Sequence, residues 1–291
     1  TRSYSVTGVQ TCALRSAVFV TPSFAFDDPR LLLPYGILAV VLAAFAVVYI
    51  RAFYGVRDVF HRSRVPRPLR PAVGGLLTGC FAFVLPEAMG TGYDVLQQAV
   101  VTGTALAERF GSIGAGMLFA VAIGKIATTA FSVGSGGSGG IFGPAVVIGG
   151  ALGGGTGMVL QRAMPWLTVD PGAFTIVGMA GFFAAAGRVP LSTIIMISEM
   201  TGNYNLLVPA MWVCFLAYAM VRRHTLYEKQ LGSRAESPAH LRNMAAAMLR
   251  NMTVKDVCAT GEKPPVILPE TPLGGFIDTV TCSELDRKSV V

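Results

Sequence analysis

The stretch Gly134-Ser-Gly-Gly-Ser-Gly-Gly-Ile-Phe-Gly-Pro144 holds the residues best suited to do chemistry, and that chemistry is the binding of an anion by backbone amides. It lies inside an uncharged run from Ile126 to Gln161 and opens directly into Ala145-Val-Val-Ile-Gly-Gly150. So much glycine will not hold a continuous helix. A glycine turn that feeds a helix aims free N–H groups outward, because the first helical turn has no internal acceptors and the helix dipole adds positive charge there. At membrane depth such donors need a partner. Pro144 suits the first turn, where its missing N–H costs nothing, so the expected donors are the amides of Ile141, Phe142 and Gly143. The alternative is that the glycines only let neighbouring helices approach closely.

The surrounding chain must hold this turn in a bilayer. Of 291 residues 53% are hydrophobic and 13% charged, and the mean hydropathy is +0.58, a balance unlike that of ordinary soluble domains. Leu31 to Ile50 carries no charge and at ~1.5 Å per residue spans the ~30 Å hydrocarbon core. Met200 to Val221 is also uncharged and reads as the last span. Leu76 to Pro86, Ile141 to Leu152, Pro171 to Gly187 and Val189 to Ser198 are too short or broken to cross simply, the pattern of discontinuous helices that line a transport site.

The net charge of +7 does not point to nucleic acid, since the basic residues flank apolar runs rather than interleave with aromatics. His61 to Arg70 and Arg222-Arg223-His224 read as cytoplasmic by the positive-inside rule. Ala13 to Val20 is too short for a signal peptide core. The five cysteines, Cys12, Cys80, Cys214, Cys258 and Cys282, are far apart and expected to be reduced. His61, His224 and His240 lie in polar linkers, and the glycine run lacks the Lys-Ser or Lys-Thr of a P-loop, so neither intramembrane proteolysis nor a P-loop enzyme fits. No enzyme activity, cofactor or metal is expected.

Gly140-Ile-Phe-Gly-Pro144 resembles the Gly-x-Phe-x-Pro element of the CLC family of chloride channels and chloride/proton exchangers. Gly178-Met-Ala-Gly-Phe-Phe-Ala-Ala-Ala-Gly-Arg-Val-Pro-Leu-Ser192, Ile194-Ile-Met-Ile-Ser-Glu-Met-Thr-Gly-Asn-Tyr204, Leu226-Tyr-Glu-Lys-Gln230 and Ser237-Pro-Ala-His240 follow in family order, and Arg70 to Gly75 and Gly90 to Tyr93 are similar to upstream segments. The resemblance covers about residues 24 to 283. It implies an all-α polytopic membrane protein, a bundle of tilted and discontinuous helices forming the second half of an inverted repeat. It further implies a chloride pathway in which Gly140, Ile141, Phe142, Gly143 and Pro144 build the anion site, with the Ile141 and Phe142 amides and the Tyr227 hydroxyl as donors. Taken alone, Tyr227 reads as an interfacial aromatic.

Glu199, the one acid between Val189 and Val221, is expected to serve the helix end rather than a gate, by bonding nearby free backbone groups. Lys125 is expected to snorkel toward an interface or face a vestibule, where it would attract anions. The resemblance implies a homodimer through Val189 to Ile197 and Leu206 to Phe215, in a cell membrane of bacterial inner-membrane type with a cytoplasmic C-terminus; lipid and chloride are the other partners.

The family's Gly-Ser-Gly-x-Pro turn and its glutamate-bearing turn are not in this sequence, so the lone chain is expected to have an incomplete ion site and not to conduct by itself. The expected divisions are a non-native leader over 1–23, the membrane domain over 24–232, a linker over 233–249, a truncated α/β CBS domain over 250–283 and a non-native tail over 284–291. Adenine nucleotide would bind only with a complete CBS pair. A regulatory nucleotide-binding membrane protein and a transporter of a different small solute are the alternative functions.

Overall fold

The computed structural model describes residues 18–22, 24, 26, 28–110, 112–222, 224–227 and 272. The chain divides into units Thr1–Glu228 and Lys229–Val291; the described residues, apart from Pro272, lie in the first, and the linker, CBS and tail expectations fall outside them.

Eight α-helices make up the described residues, with no strand among them: α1 (Leu32–Arg62), α2 (Arg70–Val84), α3 (Tyr93–Phe110), α4 (Ser112–Gly134), α5 (Phe142–Ala163), α6 (Pro171–Gly187), α7 (Pro190–Thr201) and α8 (Leu207–Met220). The all-helical expectation for the membrane body holds. Three segments are long and apolar enough to cross a membrane, Pro29–Arg62, Gly114–Gly134 and Phe142–Ala163, while α6 and α8 are apolar but shorter.

Local chemistry sets most boundaries. Asp28 accepts from the Arg30 amide at 2.8 Å and Pro29 opens the turn that leads into α1. That helix runs 31 residues, ~46 Å at ~1.5 Å each, well past the expected Ile50 boundary, so it must tilt or project. Asp170 caps α6 by accepting from the Gly172 amide at 2.8 Å, with Pro171 in the first turn. Pro190 opens α7 and Gly202, in the left-handed region at φ 64°, closes it.

Two expected segments come out differently. Met200 to Val221 is not one span: α7 stops at Thr201 and α8 starts at Leu207. Gly202 turns the chain, and the Asn203 side chain accepts from the Asn205 amide at 3.1 Å, an arrangement that competes with helix. Asn205 Nδ2 also donates to the Phe24 carbonyl at 3.0 Å, holding the turn against the chain start. Conversely, Ile141 to Leu152 is not a short run but the front of a 22-residue helix. Its glycines are tolerated because each one on the packed face lets α6 approach.

The centre of the fold is the antiparallel pair α5 and α6. Gly149, Gly153 and Gly157 line α5 at intervals of four, and a β-carbon there would lie 2.6 Å from Phe182 Cβ, 3.1 Å from Gly178 Cα and 2.8 Å from Pro171 Cα respectively. The small-residue packing weighed for the glycine turn therefore operates in the helix behind it. Every residue of α6 is buried, as befits a helix apolar all round. α1 and α8 enclose it: Tyr35 stacks on Phe174 at 4.3 Å and Tyr49 lies 5.8 Å from Phe182.

Residues 18–22, assigned to the leader by sequence, pack on this body. The Val18 amide donates to the Met200 carbonyl at 2.7 Å, Val20 and Gln97 exchange two hydrogen bonds, and Phe19 is buried against Tyr93.

Candidate functional site: the glycine turn

The turn leaves α4 at Gly134 and enters α5 at Phe142. Gly136 adopts φ 99°, which only glycine takes without strain, and its amide donates back to the Val133 carbonyl at 3.0 Å. Ile141 is the cap residue of α5 and no side chain caps the helix. The amides of Ile141, Phe142 and Gly143 have no backbone acceptor among the described residues, the first internal bond being Ala145 to the Ile141 carbonyl at 3.2 Å. Three donors and the positive end of a 22-residue helix therefore converge where Gly139 and Gly140 offer no side chain.

Phe142 is held by an edge-to-face contact with Phe183 of α6, centroids 4.9 Å apart. A β-carbon at Gly143 would lie 3.7 Å from the Tyr93 hydroxyl. Tyr93 thus joins the turn; sequence reasoning did not select it, although Gly90-Thr-Gly-Tyr93 was the signal. Gly90 and Gly92 are both left-handed, at φ 59° and 75°, and set this start of α3 against the turn.

A cavity of about 200 Å³ opens beside the turn, between Gly139, Gly140 and Pro144 on one side and Lys125, Thr128, Thr129 and Ser132 of α4 on the other. Lys125 does not snorkel. It is 3% exposed, and its ammonium donates to the carbonyls of Gly90 at 2.5 Å and Ala88 at 3.3 Å. The segment leading into α3 lies against α4 with these carbonyls turned toward it, close enough for the lysine to be used internally.

Tyr227 is tied to α6 through its neighbour. The Leu226 amide donates to the Ala186 carbonyl at 2.9 Å, and Tyr54 of α1 donates to the Leu226 carbonyl at 2.6 Å. Since Phe183 and Ala186 both lie near the C-terminal end of α6, Tyr227 and the glycine turn lie toward the same end of the α5–α6 pair. No hydrogen bond or ring contact joins Tyr227 to residues 140–144 among the described residues. Its phenol is within electrostatic range of Tyr49, whose hydroxyl is buried with no hydrogen-bond partner. Tyr54→Phe should cost the tether about 1 kcal/mol; trypsin cleavage at Arg222 is then expected to run roughly fivefold faster, and an unchanged rate would show that the bond is not holding the segment.

Glu199 does not bond to backbone as expected. It is not buried, and it accepts from the Tyr204 hydroxyl at 2.7 Å, a bond that pushes the phenol pKa up.

The family model described as "Voltage gated chloride channel" matches residues 4–222. The chain is 32% identical over 201 residues to the H(+)/Cl(-) exchange transporter ClcA of Vibrio cholerae serotype O1 (strain M66-2), covering 67% of this chain and 41% of that protein. It is 32% identical over 206 residues to a putative chloride channel protein ClcB-like of Ralstonia nicotianae, covering 69% and 45%. The fold is similar to that in the X-ray structure of a slow cyanobacterial Cl-/H+ antiporter, with a TM-score of 0.58 and 24% identity over 81% of this chain and 51% of that one. The chain spans about half the length, or less, of these relatives.

Proposed function

The chain belongs to the voltage gated chloride channel family, and on that premise we propose that it takes part in moving chloride, or a similar small anion, across a cell membrane as part of a channel or chloride/proton exchanger. The observation that carries this reading is the group of unpartnered amides at Ile141, Phe142 and Gly143 at the start of a membrane-length helix. Amides in that position replace part of an anion's hydration shell yet hold it weakly enough for release. Phe142 is kept in place by Phe183, so the donors are preorganised. The Tyr227 hydroxyl, carried to the same end by the Leu226 tether, is the further donor. The relatives support the choice of ion: one is named an exchanger of H(+) and Cl(-) and another a putative chloride channel protein.

Chloride titrated calorimetrically into the purified chain in detergent tests this. A saturable heat competed by bromide supports the reading; no saturable heat overturns it. Tyr227→Phe should weaken binding by roughly tenfold, the loss of one hydrogen bond to a charged partner, and unchanged affinity would remove Tyr227 from the site.

The assembly we propose is a homodimer through α7 and α8. Leu191, Ile195, Val208, Met211, Trp212 and Phe215 are exposed and apolar on these two helices, a surface for a second copy or for lipid. Crosslinking in lipid that yields only monomer would count against the dimer. If the CBS-like segment belongs to a complete pair, adenine nucleotide is the ligand class to try there.

A further inference from the structure

Tyr49 of α1 carries a hydroxyl that the chain encloses and leaves without a hydrogen-bond partner. The side chain is fully buried, on a segment long and apolar enough to cross a membrane. A phenol kept from both water and protein acceptors is uncommon, and phenylalanine would fill the same place without that penalty.

The neighbours of Tyr49 place it beside the segment that carries Tyr227. Its ring lies 5.8 Å from that of Phe182 on α6. Phe182 and Ala186 are four residues apart and share one face of that helix, and the Ala186 carbonyl accepts from the Leu226 amide at 2.9 Å. From α1 the same segment is held again, by the Tyr54 hydroxyl on the Leu226 carbonyl at 2.6 Å. Leu226 is therefore fixed to the two helices between which Tyr49 sits, and Tyr227 is the next residue. The Tyr49 and Tyr227 phenols lie within electrostatic range of one another. The Tyr227 amide donates to Thr225 Oγ1 at 3.2 Å, while its hydroxyl makes no hydrogen bond among the described residues.

The two tyrosines differ in freedom. Tyr49 is enclosed on every side and Tyr227 is 37% exposed, so Tyr227 is the one that can close the gap. Their needs are then complementary: Tyr49 has a hydrogen to give, and Tyr227 has an oxygen to receive it with its own hydrogen still free. A phenol that accepts a hydrogen bond becomes a stronger donor in turn.

We propose that Tyr49 is a positioning residue for the anion site: its hydroxyl donates to the Tyr227 oxygen and so turns the Tyr227 hydrogen toward the ion at the Ile141 and Phe142 amides. Tyr49 does not itself touch the ion. The proposal rests on the chloride reading of that site and adds to it the residue that aims Tyr227. One stretch of α6 serves both sides of the arrangement, since Phe182 packs on Tyr49 and the adjacent Phe183 holds Phe142.

Calorimetric chloride titration of the purified chain, with melting temperatures measured on the same samples, tests the proposal. Tyr49→Phe removes the hydroxyl and keeps the ring. It should weaken chloride binding roughly fivefold, the share of one neutral hydrogen bond, while the melting temperature stays level or rises because no buried donor is left to satisfy. Tyr49→Phe combined with Tyr227→Phe should bind no more weakly than Tyr227→Phe alone, since Tyr49 acts only through that hydroxyl. Para-aminophenylalanine at position 49, which restores a donor on a ring of the same shape, should return most of the lost affinity. A Tyr49→Phe chain that binds as tightly as the native one, or losses that multiply in the double variant, overturns the tyrosine pair and leaves the amide site standing. A weaker Tyr49→Phe chain that also melts lower and is not rescued by para-aminophenylalanine overturns it as well, because that result reports packing rather than a donated hydrogen. No saturable heat from the native chain overturns the chloride reading and the pair together.

Discussion

Gly178→Val is expected to prevent the membrane body from folding, while Gly79→Ala leaves it intact or slightly firmer. A β-carbon at Gly178 would collide with the Gly149 carbonyl oxygen and lie 2.8 Å from Gly153 Cα, so both obstacles are backbone and neither can swing aside. Separating α5 from α6 would break the contact that organises the core, since all of α6 and most of α5 are buried. In lipid no hydrophobic drive recovers the loss, because close packing itself holds helices together there. The cost is on the order of 3 kcal/mol or more, the upper end for overpacking and a large part of total stability. At Gly79 an added β-carbon meets nothing within 4 Å, and alanine inside α2 should gain about 0.4–1 kcal/mol by restricting the unfolded chain. Size-exclusion profiles and denaturant midpoints of the two variants in detergent check this. A monodisperse Gly178→Val protein with an unshifted midpoint would mean the α5–α6 contact is looser than its geometry.

Replacing the peptide N–H of Phe142 by an ester oxygen is expected to weaken anion binding by roughly 10- to 150-fold. This change removes one donor and leaves the phenyl ring, and so the contact with Phe183, in place. The Phe142 amide has no backbone acceptor among the described residues, so no internal bond is lost with it. A hydrogen bond to a charged partner contributes about 1.5–3 kcal/mol, the source of the range. The same ester at Val147, whose amide lies within α5, is the control: it should alter stability and spare affinity. Calorimetric chloride titration of both proteins separates the outcomes. Equal affinities would show that the anion is held elsewhere.

The turn itself was legible in the sequence because it rests on a local property. Glycine density forbids helix over Ser135 to Gly140, and Pro144 fits the first turn of the helix that follows, which the structure starts at Phe142. The bounds of α6 and the start of α7 were legible as well, in the apolar runs expected over Pro171 to Gly187 and from Val189, although α7 runs on to Thr201. The break in Met200 to Val221 was misread although Gly202, Asn203 and Asn205 were in plain view, because absence of charge was taken as continuity. Asparagine turns are uncharged too, and they interrupt a helix by offering its backbone other hydrogen bonds.

Lys125, Tyr93 and Thr129 belong to a different class of problem. Their relation to the turn depends on how α3 and α4 lie against α5, which is set by contacts between residues far apart in the chain rather than by any local pattern. α6 is the extreme case: buried on every side, it could be turned about its axis without changing its sequence pattern. Composition and the spacing of apolar runs therefore determined by themselves that the chain is a helical membrane protein with an amide-bearing turn, since backbone conformation and bilayer solvation act residue by residue. Only the tertiary structure decided that α5 uses its glycines to admit α6, that a lysine is enclosed rather than exposed, and that Tyr227 is tied to the end of α6. Those are contacts between residues far apart in the chain, set by shape and by which buried polar groups could find one another.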